Sequence, residues 1–153
     1  MKITLTVDSK HSVELDYQAV VSCLDDLGDE PSLSNLFGAL VNHPSSNVRY
    51  ILAQKECLPI SALAVLANDP HIEVVREVSQ NKTALKAFSA DQFIRMIERD
   101  FCIALELAER LSLIEDNATR GSVILEMQKS GDPELLAKIS KICRKLAGGA
   151  SCM

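Results

Sequence analysis

The feature that most constrains the fold of this chain is an internal repeat within residues 40–81. The stretch Leu-Val-Asn-His-Pro-Ser-Ser-Asn-Val-Arg at residues 40–49 returns as Leu-Ala-Asn-Asp-Pro-His-Ile-Glu-Val-Val-Arg at residues 66–76. A constant offset of 26 in the numbering aligns Leu40 with Leu66, Asn42 with Asn68, Pro44 with Pro70, Val48 with Val74, Leu52 with Val78 and Gln54 with Gln80. Self-similarity at a fixed period is typical of chains built from stacked units, because one unit cannot bury its apolar face alone.

Each unit has the pattern of two short antiparallel helices. In the first unit the pair Ser45 and Ser46 suits a helix start, and Pro59 suits the first position of the next helix. In the second unit Asp69 is predicted to cap a helix whose first residue is Pro70. Stacking of such units predicts a mainly α protein, an α-α superhelix in the form of a short solenoid of about four helix pairs.

An alternation of apolar and polar residues predicts a small β-hairpin within residues 1–16. Ile3, Leu5 and Val7 alternate with threonines, and a polar turn separates them from a second apolar alternation. Two strands alone are marginal in water. We therefore expect the hairpin either to lay this apolar face on a helix or to offer a strand edge to another chain, which leaves open a monomer or a homodimer through the hairpin edge.

Helical spacing continues on both sides of the repeat, over residues 17–147. The third unit aligns with the second only at an offset of 30, which indicates four inserted residues. In the fourth pair, Asp132 is predicted to cap and Pro133 to begin the last helix. Residues 148–153 are expected to be a disordered tail, and residues 1–153 a single domain.

The composition agrees with a helical domain that has an aliphatic core. Aromatic residues make up 4% of the 153 residues, and tryptophan is absent. The five cysteines are odd in number and form no C-x-x-C pair, which argues against a disulfide framework and a zinc site. Four of them are expected to pack as small apolar residues. The N-terminus lacks a signal-peptide pattern and no window is long enough to span a membrane, so we expect a cytoplasmic protein.

The charges are unevenly distributed. Residues 1–48 carry two lysines against seven acidic residues, whereas the rest of the chain is balanced. Asp25 and Asp26 belong to this acidic region, which is expected to be solvated or to dock a basic partner. A local basic face near the C-terminus contains Lys138, Lys141, Arg144 and Lys145. Since the acidic chain lacks a broad basic footprint, nucleic-acid binding is not the first expectation.

Residues 63–81 contain the segments Leu-Ala-Asn-Asp-Pro and Glu-Val-Val-Arg and end in Asn81. They resemble a HEAT-like repeat, and more closely the leucine-rich repeat variant. The resemblance implies a right-handed stack of helix pairs whose inner helices line a shallow concave surface that holds proteins or, in some relatives, nucleic acid. Some variant-repeat proteins carry a cysteine-rich iron–sulfur segment before the repeats. Only Cys23 stands there in this chain, so no cofactor is carried over.

Two repeat arginines are the first candidates for binding a partner. Arg49 and Arg76 lie near the start of successive repeat helices and could grip acidic groups. The alternative is structural, since HEAT-like units pair the loop aspartate with the helix arginine, and this predicts an Asp69–Arg76 pair within one unit. His43 aligns with Asp69, and stacking should place the two roughly 10 Å apart on one rim. No catalytic motif, phosphate loop or metal-ligand spacing occurs, so an enzyme is not expected.

These observations favour a bacterial, cytoplasmic adaptor without enzymatic activity that binds a protein through its inner helices. Two other hypotheses remain open. One is a nucleic-acid-binding protein that uses the C-terminal basic face, with Lys141, Arg144 and Lys145. The other is an immunity or inhibitor protein that uses the acidic N-terminal region, with Asp25 and Asp26.

Overall fold

The computed structural model describes residues 3–148 and shows a mainly helical protein with a two-stranded hairpin. The strands are β1 (Ile3–Val7) and β2 (His11–Leu15). The helices that follow are α1 (Tyr17–Asp26), α2 (Ser34–Leu40), α3 (Ser46–Gln54), α4 (Ile60–Leu66), α5 (Ile72–Gln80), α6 (Lys82–Ala87), α7 (Ala90–Arg99), α8 (Phe101–Arg110), α9 (Asn117–Gln128) and α10 (Pro133–Gly148). Short 3-10 turns at Pro31–Leu33 and Leu111–Leu113 lead into α2 and out of α8.

Five of the helices form a row. In this row α1, α3, α5, α8 and α10 contact one another in that order, and each of α3, α5, α8 and α10 also contacts the helix that precedes it in its pair. The pairs are α2 with α3, α4 with α5, α7 with α8, and α9 with α10. The mainly α prediction and the hairpin are thereby confirmed. The superhelical, HEAT-like geometry of the stack remains a prediction.

The repeat of the sequence is also a repeat of the structure. Helices α4 and α5 begin and end at the positions that align with the first and last residues of α2 and α3 in the sequence repeat. Helix α7 begins at Ala90, four residues later than the same offset from α4 would place it, which agrees with the predicted insertion. The inserted residues form part of α6, a short helix that the sequence pattern does not reveal, because it predicts Asn81 as the end of a turn.

Asn81 joins three segments of the chain from a buried position. Its side-chain amide donates to the carbonyls of Ala53 (2.8 Å) and Lys55 (3.1 Å) at the end of α3. Its side-chain oxygen accepts hydrogen bonds from the backbone N–H groups of Thr83 (2.9 Å) and Ala84 (3.3 Å) in the first turn of α6. One side chain thus caps the C-terminus of one helix and the N-terminus of another.

Lys55 performs the related function one unit earlier, at the position that aligns with Asn81. Its ammonium group donates to the carbonyl of Leu27 (2.7 Å), the residue after the end of α1, and lies 5.7 Å from the centre of the Phe37 ring. A cation at a helix C-terminus is favoured by the helix dipole. Both units therefore have a side chain that donates to the C-terminal carbonyls of the preceding unit's helix, from Lys55 in one case and from Asn81 in the other.

The core is mainly aliphatic, as predicted, and its largest side chains are almost fully buried. They include Phe37, Leu52, Leu63, Leu66, Phe93, Met96, Ile103 and Leu107. The prediction for the cysteines is wrong for three of the four described. Cys23, Cys102 and Cys143 are exposed, and only Cys57 is partly buried against the core. Helical spacing alone did not distinguish the buried face from the solvent face at these positions.

The helix starts differ in part from the prediction. Helix α5 begins at Ile72 and not at Pro70, and Asp69 accepts a hydrogen bond from the backbone N–H of His71 (2.9 Å) ahead of the helix. The predicted cap at Asp69 is therefore wrong, because its carboxylate is held in a turn upstream of the helix cap. In α10, Pro133 is the first residue, and Asp132 accepts from the N–H of Leu135 at 2.9 Å.

The hairpin covers the helices with only one end of its apolar face. Antiparallel pairing places Ile3 opposite Leu15 and Leu5 opposite Val13. Ile3 and Leu15 pack against the core, whereas Leu5 and Val13 are 49% and 56% exposed. The prediction that the whole face lies on a helix is wrong for Leu5. The tail was predicted over residues 148–153, but α10 extends to Gly148, so the prediction is wrong there; residues 149–153 lie outside the described residues.

Substitution of Asn81 tests the unit-to-unit caps. We expect Asn81→Ala to lower the free energy of unfolding by about 2–3 kcal/mol, because it leaves buried backbone groups of α3 and α6 without partners. The measurement is urea denaturation followed by far-UV circular dichroism. Asn68→Ala is the control, since Asn68 is exposed and bonds only the carbonyl of Ala64. Equal losses in the two variants would contradict this account.

Candidate interaction surface

A buried ion pair joins the first repeat unit to the second. The guanidinium of Arg49 in α3 donates to both carboxylate oxygens of Asp69, from Nε at 2.5 Å and from Nη2 at 3.0 Å. Its Nη1 donates to the carbonyls of His43 (2.6 Å) and Pro44 (3.0 Å). The two partners are 8% and 5% exposed. The geometry is the two-pronged arrangement in which arginine recognises a carboxylate most strongly.

Asp69 also accepts hydrogen bonds from other groups. Asp69 accepts from the N–H of His71, and the carbonyl of Asp69 accepts from Nη2 of Arg99 at 2.5 Å. Burial would raise the pKa of Asp69, but the hydrogen bonds and the charge of Arg49 outweigh it and lower the pKa below its usual value. Within residues 3–148, no buried side-chain nitrogen or oxygen lacks a hydrogen-bond partner. The pair is therefore a complete structural link.

A second pair repeats the link between α5 and α8. Nε of Arg76 donates to Oδ2 of Asp100 at 2.6 Å, and Asp100 also accepts from the N–H of Cys102 at the start of α8. This pair is more accessible, with side chains 35% and 16% exposed. The predicted Asp69–Arg76 pair within one unit is therefore wrong, because each arginine points forward to the aspartate of the following unit.

Asp100 was missed by the sequence analysis, although the sequence holds a signal for it. Arg49 and Asp69 are 20 residues apart, and Arg76 and Asp100 are 24 residues apart. The difference equals the four-residue insertion between the second and third units. Adding that insertion to the first spacing would have identified Asp100.

His43 is a buried histidine and not a solvated loop residue. It is 5% exposed, and its Nδ1 accepts a hydrogen bond from the N–H of Ser45 at 3.1 Å. Burial and the nearby charge of Arg49 lower the pKa of His43. Protonation of Nδ1 would also break the bond from Ser45. The neutral imidazole is thus part of the loop that receives the Arg49 side chain.

An open groove runs between α3 and α5, beside the first ion pair. It has a volume of about 470 Å³, and its lining residues are Ser46, Asn47, Tyr50, His71, Glu73 and Val74. Tyr50 is 37% exposed. A hydrogen bond from its hydroxyl to Glu77 raises the pKa of Tyr50. The groove thus offers an aromatic ring and a carboxylate.

The predicted binding residues are not gathered at one place. Arg49 lies inside the ion pair, and Arg76 is bound to Asp100. Asp25 and Asp26 are exposed at the end of α1. Their neighbour Asp29 has a structural function, since it accepts from the N–H groups of Glu56 (2.5 Å) and Cys57 (2.8 Å). Tyr50 was not predicted as a binding residue. Its position on the solvent side of α3 was the signal that could have identified it.

The C-terminal basic face lies on α10, at the other end of the row. Lys141, Arg144 and Lys145 are exposed, and no described acidic residue forms an ion pair with them. Lys138 is partly neutralised, because its Nζ lies 2.7 Å from Glu109 and 3.6 Å from Glu134. Three cations on one helix remain for an anionic partner.

Comparison of the chain with protein-family models, with curated proteins and with solved structures finds no match. The family resemblance of residues 63–81 therefore stays a prediction. Over the described part of the chain, the longest helices fall short of the length and apolarity that crossing a bilayer requires.

Removal of one partner of the buried pair should be strongly destabilising. Arg49→Met leaves the Asp69 carboxylate buried without its cation, and we expect it to lower the free energy of unfolding by about 3 kcal/mol. Arg76→Met is the matched control and should cost much less, because its pair is accessible to water. The double variant Arg49→Met with Asp69→Leu should recover part of the loss in urea denaturation. Equal effects at Arg49 and Arg76 would contradict the assignment.

Stability should fall between neutral and mildly acidic pH because of His43. Its pKa is lowered in the folded protein, so the unfolded chain takes up the proton first as the pH falls below about 6.5. The free energy of unfolding therefore decreases as the pH falls below about 6.5, with a slope that corresponds to at most one proton. His43→Asn keeps an acceptor for Ser45 and should flatten the dependence between pH 7 and 5. Carboxylates with lowered pKa values change the stability only near pH 4 and below. If stability depended on pH between 7 and 5 as steeply in the variant as in the wild type, the role of His43 would be refuted.

Proposed function

We propose that this chain is a protein-binding module without enzymatic activity, and that its partner binds in the groove between α3 and α5. The single observation that carries the proposal is this groove, whose lining includes the partly exposed Tyr50 together with Glu73. Aromatic residues in concave surfaces contribute most to protein–protein binding energy.

The walls of the groove are held at a fixed separation before any partner arrives. The Arg49–Asp69 pair bridges α3, which carries Tyr50, to the loop ahead of α5, and Asp69 also holds the groove residue His71. The groove is therefore pre-organised, and binding does not have to order it. In this proposal Arg49 supports the surface and does not contact the partner.

The lining of the groove suggests the chemistry of the partner. A large apolar side chain suits the exposed part of the Tyr50 ring, and Glu73 offers a carboxylate to a lysine or arginine next to it. We therefore expect the bound segment to combine an apolar anchor with a neighbouring basic residue. The acidic residues of the N-terminal half, including the exposed Asp25 and Asp26, would attract such a segment at a distance.

This proposal keeps the expectation of a bacterial, cytoplasmic protein of the HEAT-like family. The two other hypotheses have less support. A nucleic-acid partner would rest on Lys141, Arg144 and Lys145 alone, since Lys138 is engaged by Glu109. An inhibitor of a basic toxin site would rest on an acidic surface without a defined groove.

Partner capture with matched variants tests the proposal. Full-length wild-type chain and single variants would be immobilised, exposed to lysate of the organism that encodes the chain, and compared by quantitative mass spectrometry. We expect Tyr50→Ala to reduce retention of the partner at least about tenfold, since such anchors contribute more than about 1.4 kcal/mol. Glu73→Lys should act in the same direction.

Tyr17→Ala is the control for these variants. Tyr17 is an exposed tyrosine on α1 that does not line the groove. Proteins that bind through the groove should be retained by wild type and by Tyr17→Ala, and lost from Tyr50→Ala. If the immobilised wild type and all variants retained the same proteins equally, and circular dichroism showed the variants to be folded, the proposal would be overturned.

A further inference from the structure

The outer edge of β1 lacks the features that normally keep an edge strand from pairing. The sheet has the order β1-β2, so one side of β1 has no strand beside it among the described residues. All five residues of β1, Ile-Thr-Leu-Thr-Val, are uncharged, and the pairing register with β2 shows no bulge. Proline, charges and bulges are the usual protection of such edges.

The edge of β2 is different. It carries His11 and Glu14, and Asp16 follows directly before α1. Of the two strands, β2 is also the one that makes the principal contact with α1. The uncharged edge of β1 is therefore less protected against pairing with another strand than the edge of β2.

The sequence of β1 is close to a palindrome, and this indicates which strand would pair with it. We propose that β1 pairs antiparallel with β1 of a second copy of this chain, about a twofold axis at Leu5. In this register Leu5 lies opposite Leu5 of the partner subunit. Thr4 then lies opposite Thr6 of the partner subunit, and Ile3 opposite Val7 of the partner subunit. Each residue meets one of its own type, which suits a twofold interface.

The pairing also covers apolar surface that the hairpin leaves exposed. Leu5 is 49% exposed, although Ile3 on the same face packs against the core. Opposed residues in an antiparallel pair have Cβ atoms about 5 Å apart, so the two copies of Leu5 would shield each other from water. A marginal two-stranded sheet becomes a four-stranded sheet of order β2-β1-β1-β2, in which both copies of β1 are central.

This interface is separate from the proposed partner groove. The groove lies between α3 and α5, and the hairpin packs at the α1 end of the helix row. Failure of one proposal therefore leaves the other standing.

The test measures the mass of the full-length protein in solution by light scattering over a series of concentrations. We expect the wild type to change from monomer to dimer as the concentration rises. Leu5→Lys places two like charges opposite each other and should raise the dimer dissociation constant at least about tenfold. Far-UV circular dichroism should remain unchanged, because Leu5 is half exposed in the monomer.

Val13→Lys is the matched control. Val13 lies on the same face with similar exposure, but the two copies would be separated by three strand spacings, about 14 Å, which exceeds the screening length at physiological salt. It should dimerise like the wild type. A loss equal to that of Leu5→Lys would mean that the sheet face and not the β1 edge forms the contact, and would overturn the proposal.

A charge-exchange experiment fixes the register. Leu5→Lys and Leu5→Glu should each be monomeric alone and should form a mixed dimer when combined, because position 5 meets position 5 across the axis. A mixture that stays monomeric, or a wild type that is monomeric at every concentration up to about 1 mM, would overturn the proposal.

Discussion

The stack depends on a charge pair that reaches from one unit to the next. Arg49 and Asp69 come from different helix pairs, and a carboxylate and a guanidinium that are both buried are tolerated only when each is fully bonded. The pair therefore gives little tolerance for sliding or rotation of α5 against α3. Apolar packing alone would permit several similar arrangements of two aliphatic helices, and the ion pair selects one of them.

The same principle explains why the links lie at loops. Asp69 precedes α5, and Asp100 precedes α8. Each carboxylate therefore accepts a hydrogen bond from the backbone N–H two residues later, in addition to its bond with an arginine. A loop that is fixed in this way presents its aspartate in one orientation. Asn81 and Lys55 work at the other ends of the helices, where carbonyl groups need donors. Side-chain acceptors, the aspartates, thus lie at the edge where α5 and α8 begin. Side-chain donors, Asn81 and Lys55, lie at the ends of the preceding helices.

Local structure was largely predictable from the sequence because its signals are local. Pro133 and Asp132 defined the start of α10, and the constant offset of the repeat predicted that α4 and α5 would repeat α2 and α3. The contacts between units were not predictable in the same way. The partner of Arg76 lies beyond an insertion, so the consensus pairing within a unit named Asp69 when the true partner was Asp100. Exposure was a second difficulty: Leu5 and Cys102 have the spacing of buried residues, but no element of the described chain covers them.

The short helix α6 shows where this architecture accepts a change of length. The interval from the start of the first helix to the start of the second is the same in the pairs α2–α3 and α4–α5, and only one position shorter in the pair α7–α8. The connection from α5 to α7, by contrast, is longer than that from α3 to α4 by the whole insertion. The loops that carry the aspartates, at one edge of the stack, are nearly constant in length. At the opposite edge the connection from α5 to α7 contains the additional helix α6. Segments added to this chain by evolution or by engineering would be accommodated at that opposite edge, leaving the spacing that brings each arginine to its carboxylate intact.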